Sequence, residues 1–240
     1  EYPEEIPKPL APVGGKPMLW HLMKLYSHYG YKDFILCLGY KGDMIKKYFI
    51  EEEWRASDFT MNLKNRQKQT LAAGEEEDWN ITFADTGLET NTGGRVKKIE
   101  KYIPEGEDFF ATYGDGLSSI NINELLEFHR KKGKIATITT LRPYSQFGIV
   151  EIDDSTVTSF KEKPKLDYWI SGGFMVFKTG VFKYIADNDV LEKKPLETLA
   201  AEREIAAYEF EGFWQCMDTF KDYQSFNELW EKGAPWRVWK

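Results

Sequence analysis

The sequence predicts an α/β protein with a Rossmann-like, doubly wound mixed sheet, and three observations carry that prediction. Short apolar runs alternate with amphipathic stretches through the first half of the chain, the rhythm of strands and helices layered on a sheet. Two acids, Asp115 and Asp218, each end an aromatic, apolar approach. Open α/β sheets hold their ligands at such carboxyl ends of strands. Finally, 240 residues that are 42% hydrophobic and 15% aromatic can bury a sizeable core, which excludes disordered and fibrous classes.

Residues 1 to 17 read as loop, with four prolines among the first twelve and a turn at Gly14-Gly15-Lys16-Pro17. Met18, Leu19, Leu22, Met23, Leu25 and Tyr26 recur at helical spacing, so a helix is expected to Tyr29, stopped by Gly30. Phe34 to Leu38 is a buried strand closed by Gly39, and Asp43 is expected to cap a second helix through Phe49. Glu51 to Asp78 is charged and unpatterned, and reads as an irregular excursion. Asn80 to Asp85 is a strand, followed by a polar turn through Arg95 and a helical stretch from Val96 to Tyr102.

The run Phe109-Phe110-Ala111-Thr112-Tyr113-Gly114-Asp115-Gly116 is a strand ending on an acid between two glycines. A helix over Asn123 to Lys132 and a strand over Ile135 to Leu141 follow. Phe147 to Ile152, Thr156 to Lys161 and Gly172 to Phe177 are three short strands in quick succession. They predict a small antiparallel insertion at about residues 142–178 within a single domain spanning 1–240. Helices near Val181 to Ile185 and Pro195 to Glu202, a strand over Ile205 to Phe210 and a helix over Lys221 to Trp230 complete the chain. The tail from Trp236 to Trp239 is expected to pack on a neighbouring element or a partner subunit.

A net charge of -7 argues against generic binding to nucleic acid or anionic membranes. No run approaches the roughly 20 apolar residues that span a bilayer. The two cysteines, Cys37 and Cys216, sit far apart in apolar contexts and read as reduced thiols, which favours the cytoplasm.

Two strand-end carboxylates suit a magnesium ion, which prefers oxygen ligands and leaves positions for substrate phosphates. Phosphoryl and nucleotidyl transfer need alignment and charge neutralisation more than covalent work by the protein. Lys8 and Lys163, each flanked by proline, are candidates to hold phosphates at fixed places, although solvated lysines satisfy the same pattern. The turn over Thr86 to Arg95 collects hydroxyls, backbone N–H groups and an arginine, as an anion or base site would, and as an ordinary helix entry also does. The histidines His21, His28 and His129 read as helix-surface or interface residues.

Taken together, Pro7-Lys8-Pro9, Gly14-Gly15-Lys16-Pro17-Met18-Leu19, Tyr113-Gly114-Asp115-Gly116, Phe147-Gly148, Glu162-Lys163-Pro164 and Met217-Asp218-Thr219 resemble the sugar-phosphate nucleotidyltransferases. Gly39-Tyr40-Lys41-Gly42, Thr92-Gly93-Gly94-Arg95 and Gly212-Phe213-Trp214-Gln215 are more similar to the branch that uses CTP. The resemblance runs from Lys8 to Trp239. It implies transfer of CMP from CTP to α-D-glucose 1-phosphate, giving CDP-glucose and pyrophosphate, with Mg2+ as cofactor. It further implies that Asp115 and Asp218 bind the metal and that Lys8 contacts phosphates. Thr90, Thr92, Gly93 and Arg95 would lie in the base-recognition turn, and Gly114 against the nucleotide. Gly148, Glu162, Lys163, Ser171 and Gly172 would hold the sugar phosphate. Members of the family form homo-oligomers, so a trimer or hexamer is expected, and they feed bacterial surface-polysaccharide synthesis.

Two departures qualify the match. The family's first strand and its Gly-Gly-x-Gly-Thr-Arg loop would precede Glu1 and are not in the sequence, which itself begins without Met. Ser171 stands where relatives usually carry Asn, which leaves the hexose open. Another sugar phosphate or nucleotide, or an inactive nucleotide-sugar binder, therefore remains an alternative. A glycosyltransferase would present an Asp-x-Asp pair, whereas Gly116 follows Asp115 directly.

Overall fold

The structure is a computed structural model that describes residues 6–72, 77–145 and 147–239. Parts of the expected opening loop and of the 51–78 excursion lie outside the described residues. A 3-10 turn (Lys8–Leu10) leads into a hairpin of β1 (Pro12–Val13) and β2 (Lys16–Pro17), then helix α1 (Met18–His28). Strand β3 (Asp33–Leu38), helix α2 (Gly42–Ala56), strands β4 (Asp58–Met61), β5 (Lys68–Ala72) and β6 (Asn80–Asp85), and helix α3 (Thr92–Lys98) follow. Next come β7 (Asp108–Thr112), β8 (Gly116–Ser118), α4 (Ile122–Lys132), β9 (Ala136–Leu141), β10 (Ile149–Asp153) and β11 (Thr156–Lys161). Strand β12 (Ile170–Lys178), a 3-10 segment (Thr179–Tyr184), α5 (Lys194–Ala201), β13 (Ile205–Glu209), β14 (Trp214–Cys216) and α6 (Phe220–Glu231) complete the order.

Strands run in the order β13-β9-β12-β7 in a four-stranded mixed sheet. The β13–β9 pair is parallel, and β12 is antiparallel to both β9 and β7. A separate parallel pair joins β3 to β6. The apolar runs of β12 and β7 lack a period of two because both faces of the sheet are covered. Phe174 and Val176 enter a core built with Tyr26, Leu125 and Phe226, while Met175 and Phe177 enter another built with Val181, Phe182 and Leu199. Full burial of each such side chain contributes about 1.5–3 kcal/mol, so β12 alone anchors both layers. Helix α1 serves two cores in the same way. Met18, Leu22 and Leu25 face the first, and Leu19 and Met23 meet Leu38 of β3 and Ile45 of α2 in a third.

Several expectations are corrected. The second helix continues past Phe49 to Ala56, and its N-cap is Lys41 in a left-handed conformation (φ 52°), with no side-chain cap from Asp43. Much of the 51–78 excursion forms the β4–β5 hairpin, in which Phe59 and Met61 alternate with Asp58 and Thr60 and whose residues outside Ala72 are largely exposed. Of the three strands in quick succession, β10 and β11 pair as a hairpin, whereas β12 runs through the middle of the main sheet. The tail tryptophans take the first of their two expected placements, on neighbouring elements: Trp236 and Trp239 are buried in the core with α1 and α6. His21 and His129 are fully buried rather than on helix surfaces. His21 Nε2 donates to the Val13 carbonyl at 2.8 Å and sits among the rings of Trp230, Trp236 and Trp239.

Candidate active site

The two acids meet because of a three-residue ribbon. β8 and β14 pair antiparallel with Gly116 opposite Cys216, so the residues just beyond each strand, Asp115 and Met217-Asp218, emerge side by side. The Met217 N–H donates to the Asp115 carbonyl at 2.8 Å and extends the pairing by one step. Asp218 is held from the other side by the start of α6. Thr219 and Asp222 form a reciprocal capping box there, and the Asp222 carboxylate accepts from the backbone N–H of Asp218 (3.1 Å) and of Thr219 (2.8 Å).

Lys8 completes the centre. Its 3-10 turn, rigid between Pro7 and Pro9, brings Nζ to 2.9 Å from Asp218 Oδ1 and 3.9 Å from Asp115 Oδ2. Gly114 permits that approach, since a Cβ there would meet Pro9 at 3.0 Å. The three groups then titrate apart. Burial raises the Asp115 carboxyl above the usual range, with its side chain 34% exposed, and the Lys8 charge offsets this only partly. The hydrogen bond from Lys8 lowers Asp218, which is 64% exposed, and raises Lys8 in return. Cys216 lies beside them, its thiol pushed up to about 11 by burial, and donates to Asp218 Oδ2 at 3.4 Å.

A cavity opens next to Asp115, lined by Tyr113, Ser171, Gly172, Trp214 and Cys216 among others. Trp214 Nε1 donates to the Gly172 carbonyl at 2.7 Å and fixes the backbone where β12 bulges between Ser171 and Met175. Gly173 is left-handed (φ 73°), and a Cβ on it would strike the Tyr113 ring at 2.6 Å. Both features demand glycine there. The donor set is chemically hard: two carboxylates already share one ammonium, and among the described residues no group of three or more His, Cys, Asp or Glu side chains gathers around a metal position. A divalent cation with oxygen preference fits such a pair, with phosphates and water completing its shell.

The remaining sequence-predicted residues fall into two groups. In the turn after β6, Thr90 Oγ1 donates to the Thr86 carbonyl at 2.5 Å, and Arg95 donates to Thr86 Oγ1 (2.6 Å) and the Leu88 carbonyl (3.3 Å). Arg95 therefore shapes the turn from within. Lys98 does the same, donating to the Thr86 carbonyl (2.7 Å) and Thr90 Oγ1 (3.0 Å). Thr92 and Gly93 open α3. Gly148, Glu162 and Lys163 gather at the base of the β10–β11 hairpin, where a Cβ on Gly148 would lie 3.2 Å from Glu162 Oε2. Lys163 is left-handed (φ 45°) and exposed, 3.9 Å from Glu162. A long side chain held in that region is costly and marks a constrained position. Ser171 and Gly172 line the cavity beside Asp115, whereas these three hairpin residues do not.

Tyr113, Trp214, Cys216 and Lys98 were given no site role by sequence reasoning. A signal existed for Tyr113, which directly precedes Gly-Asp-Gly. For Trp214 and Cys216, alternation into Asp218 along a short strand was the only clue.

The site sets paired acids bridged by a lysine beside a cavity on a Rossmann-like α/β fold. Residues 3–232 match the family model described as Nucleotidyl transferase, and the chain belongs to that family. The chain is 45% identical over 238 residues to the glucose-1-phosphate cytidylyltransferase of Salmonella typhi, covering 98% of this chain and 92% of that one. It is 43% identical over 242 residues to a Bacillus subtilis protein named "Probable glucose-1-phosphate cytidylyltransferase", covering 100% and 94%. Among solved structures, HddC from Yersinia pseudotuberculosis in complex with GMP-PN superposes with a TM-score of 0.68 at 20% identity, covering 94% and 90%. A UDP-glucose pyrophosphorylase in complex with UDP-glucose superposes at 0.65 with 15% identity, covering 95% and 91%, and at that identity both share the fold alone. No described helix is long and apolar enough to cross a membrane.

Proposed function

We propose that this nucleotidyltransferase moves CMP from CTP to α-D-glucose 1-phosphate, releasing pyrophosphate and CDP-glucose, with Mg2+ as cofactor. The observation that carries the proposal is the single ammonium of Lys8 shared by Asp115 and Asp218 beside an open cavity. Identity of 43–45% to proteins named for that activity supports the choice of nucleotide and sugar.

In the reaction, a phosphate oxygen of glucose 1-phosphate forms a bond to the α-phosphorus of CTP, and the α–β anhydride bond breaks to release pyrophosphate. No general base is needed, because the attacking phosphate is already ionised. A magnesium ion held by Asp115 and Asp218 would neutralise charge on the phosphate oxygens. Lys8 would then be free to contact phosphate. The β8–β14 pairing and the capping box behind Asp218 fix the backbone that carries both acids before substrate arrives, which lowers the reorganisation needed at the transition state. The turn braced by Arg95 and Lys98 is offered to the base, with Thr90, Thr92 and Gly93 on it and Gly114 beside the Lys8 turn. Ser171 and Gly172 are offered to the sugar, and Glu162, Lys163 and Gly148 to its phosphate and ring.

Free thiols at Cys37 and Cys216 accord with a cytoplasmic home. The exposed apolar hairpin, with Ile152 66% and Phe160 65% accessible, accords with a homo-oligomer. The decisive experiment assays the full-length protein with glucose 1-phosphate and each of CTP, UTP, dTTP and GTP. Pyrophosphate release is expected with CTP far above the others. Preference for another nucleotide, or no release with any, would defeat the proposal.

A further inference from the structure

Outside the residues discussed so far, the loop from Ala186 to Lys193 is seated on the start of α3. The Gly94 N–H donates to the Asp189 carbonyl at 3.0 Å, and the Asn91 N–H and Nδ2 donate to Asn188 Oδ1 (2.8 Å) and its carbonyl (3.0 Å). The seat is intimate: Cβ atoms on Gly93 and Gly94 would lie 2.7 and 2.6 Å from the carbonyl oxygens of Asp189 and Asp187. From this loop Glu192 reaches two hydroxyls that belong to different parts of the molecule. Thr92 Oγ1, at the start of α3, donates to Glu192 Oε2 at 2.7 Å and accepts from the Leu191 N–H at 2.9 Å. The Tyr113 hydroxyl, two residues before Asp115 and on the cavity wall, donates to the other oxygen, Oε1. Among the described residues, no hydrogen bond joins Thr92 directly to Tyr113.

We infer that Glu192 is a positioning residue that sets the nucleotide turn, through Thr92, against the metal-binding strand end, through Tyr113. The inference rests on the nucleotidyl-transfer chemistry proposed above and extends it to a residue that contacts neither acid. The physical logic is that of outer-shell carboxylates generally: one anion accepting two hydroxyls couples two elements at once. Tyr113 cannot move toward β12 to compensate, because Gly173 backs its ring without space for a Cβ. Losing Glu192 should therefore loosen both the base-holding turn and the alignment at Asp115, an effect that simple destabilisation would not divide between kcat and KM.

The test uses the full chain with CTP, glucose 1-phosphate and Mg2+, alongside equilibrium binding of CTP. Glu192→Ala is expected to raise the KM and Kd for CTP about tenfold and to lower kcat about tenfold, the usual range for an outer-shell partner. Glu192→Gln, which can still engage both hydroxyls, should recover to within about threefold. Because the alanine variant can fail to fold, a second measurement leaves Glu192 in place. Thr92→Val and Tyr113→Phe, singly and together, should depart from a simple product of effects by about threefold or more if Glu192 couples them. Independent, multiplicative effects, or a folded Glu192→Ala with unchanged kcat and KM, would overturn the inference. If the unaltered chain released no pyrophosphate, the proposed function would fall, while the same comparisons on CTP binding would still decide the role of Glu192.

Discussion

Of the antiparallel ribbons outside the main sheet, β8–β14 and β10–β11 are built on opposite principles. The β8–β14 ribbon is only three residues per strand, yet Leu117 is 1% exposed and its end is capped by α6. The β10–β11 hairpin is longer, five and six residues, but nearly every position is exposed, including Ile152 and Phe160. Isolated two-stranded ribbons are marginal in water, so each must draw stability from elsewhere. The first draws it from the core beneath, which locks Asp115 and Asp218 to each other. The second presents apolar side chains to solvent. The chemistry proposed for Asp115 and Asp218 falls on the ribbon whose backbone is already held by the core.

The sharpest way to break this comparison is at the acids. Asp115→Asn or Asp218→Asn should lower turnover by at least about a thousandfold, equivalent to about 4 kcal/mol of lost charge stabilisation. Rates within tenfold of the unaltered protein in either variant would dissolve the paired-acid centre. Next in size is packing. Leu117→Ala on β8 should cost about 3 kcal/mol in urea unfolding, whereas Ile152→Ser on β10 should cost less than about 0.5 kcal/mol. Equal losses would mean that the hairpin is as deeply anchored as the ribbon.

Acid sensitivity sharpens the contrast further, because the ribbon's core contains His21. Burial lowers its pKa to about 4 from the ordinary 6.5. The unfolded chain therefore takes up a proton that the folded one refuses, and stability falls as pH drops from about 6.5 to about 4. The loss is on the order of 3 kcal/mol, since each pH unit of displacement is worth about 1.4 kcal/mol. His21→Gln, which keeps a donor for the Val13 carbonyl, should flatten that slope in pH-dependent unfolding; an unchanged slope would assign it to other groups. The smallest effect on catalysis is at the hairpin's base. Lys163→Ala should raise the KM for glucose 1-phosphate about tenfold while the KM for CTP barely moves, since one exposed charge–phosphate contact is worth about 1.4 kcal/mol. A parallel rise in both would disconnect Lys163 from the sugar phosphate.

Much of this arrangement was readable from residue order, and the unreadable parts share a cause. Helix α1 announced itself because its buried positions repeat at helical spacing, and β7 and β12 because both faces are covered by apolar side chains. Asp115 and Asp218 stood out through the turn chemistry around them. By contrast, β8 and β14 are too short to carry a periodic signal and exist only because each finds the other. The β4–β5 hairpin hid because its short strands lie in a charged stretch and their apolar residues, Phe59 and Leu71 among them, are exposed. His21 looked like a surface histidine because nothing local revealed that three tryptophans from the far end of the chain would enclose it. Glu192 sat in a charged stretch like many others.

Local preference settled what each segment could become: where strands end, which helix faces are greasy, and which turns require glycine. Those are properties of a few adjacent side chains and their backbone, so they are written in the order of residues. Tertiary structure alone decided that Lys8 lies between Asp115 and Asp218, that the tail seals His21, and that Glu192 spans two hydroxyls. Each of those joins residues from 21 to more than 200 positions apart. Only packing of the shared core fixes such distances, and no short stretch of sequence contains it.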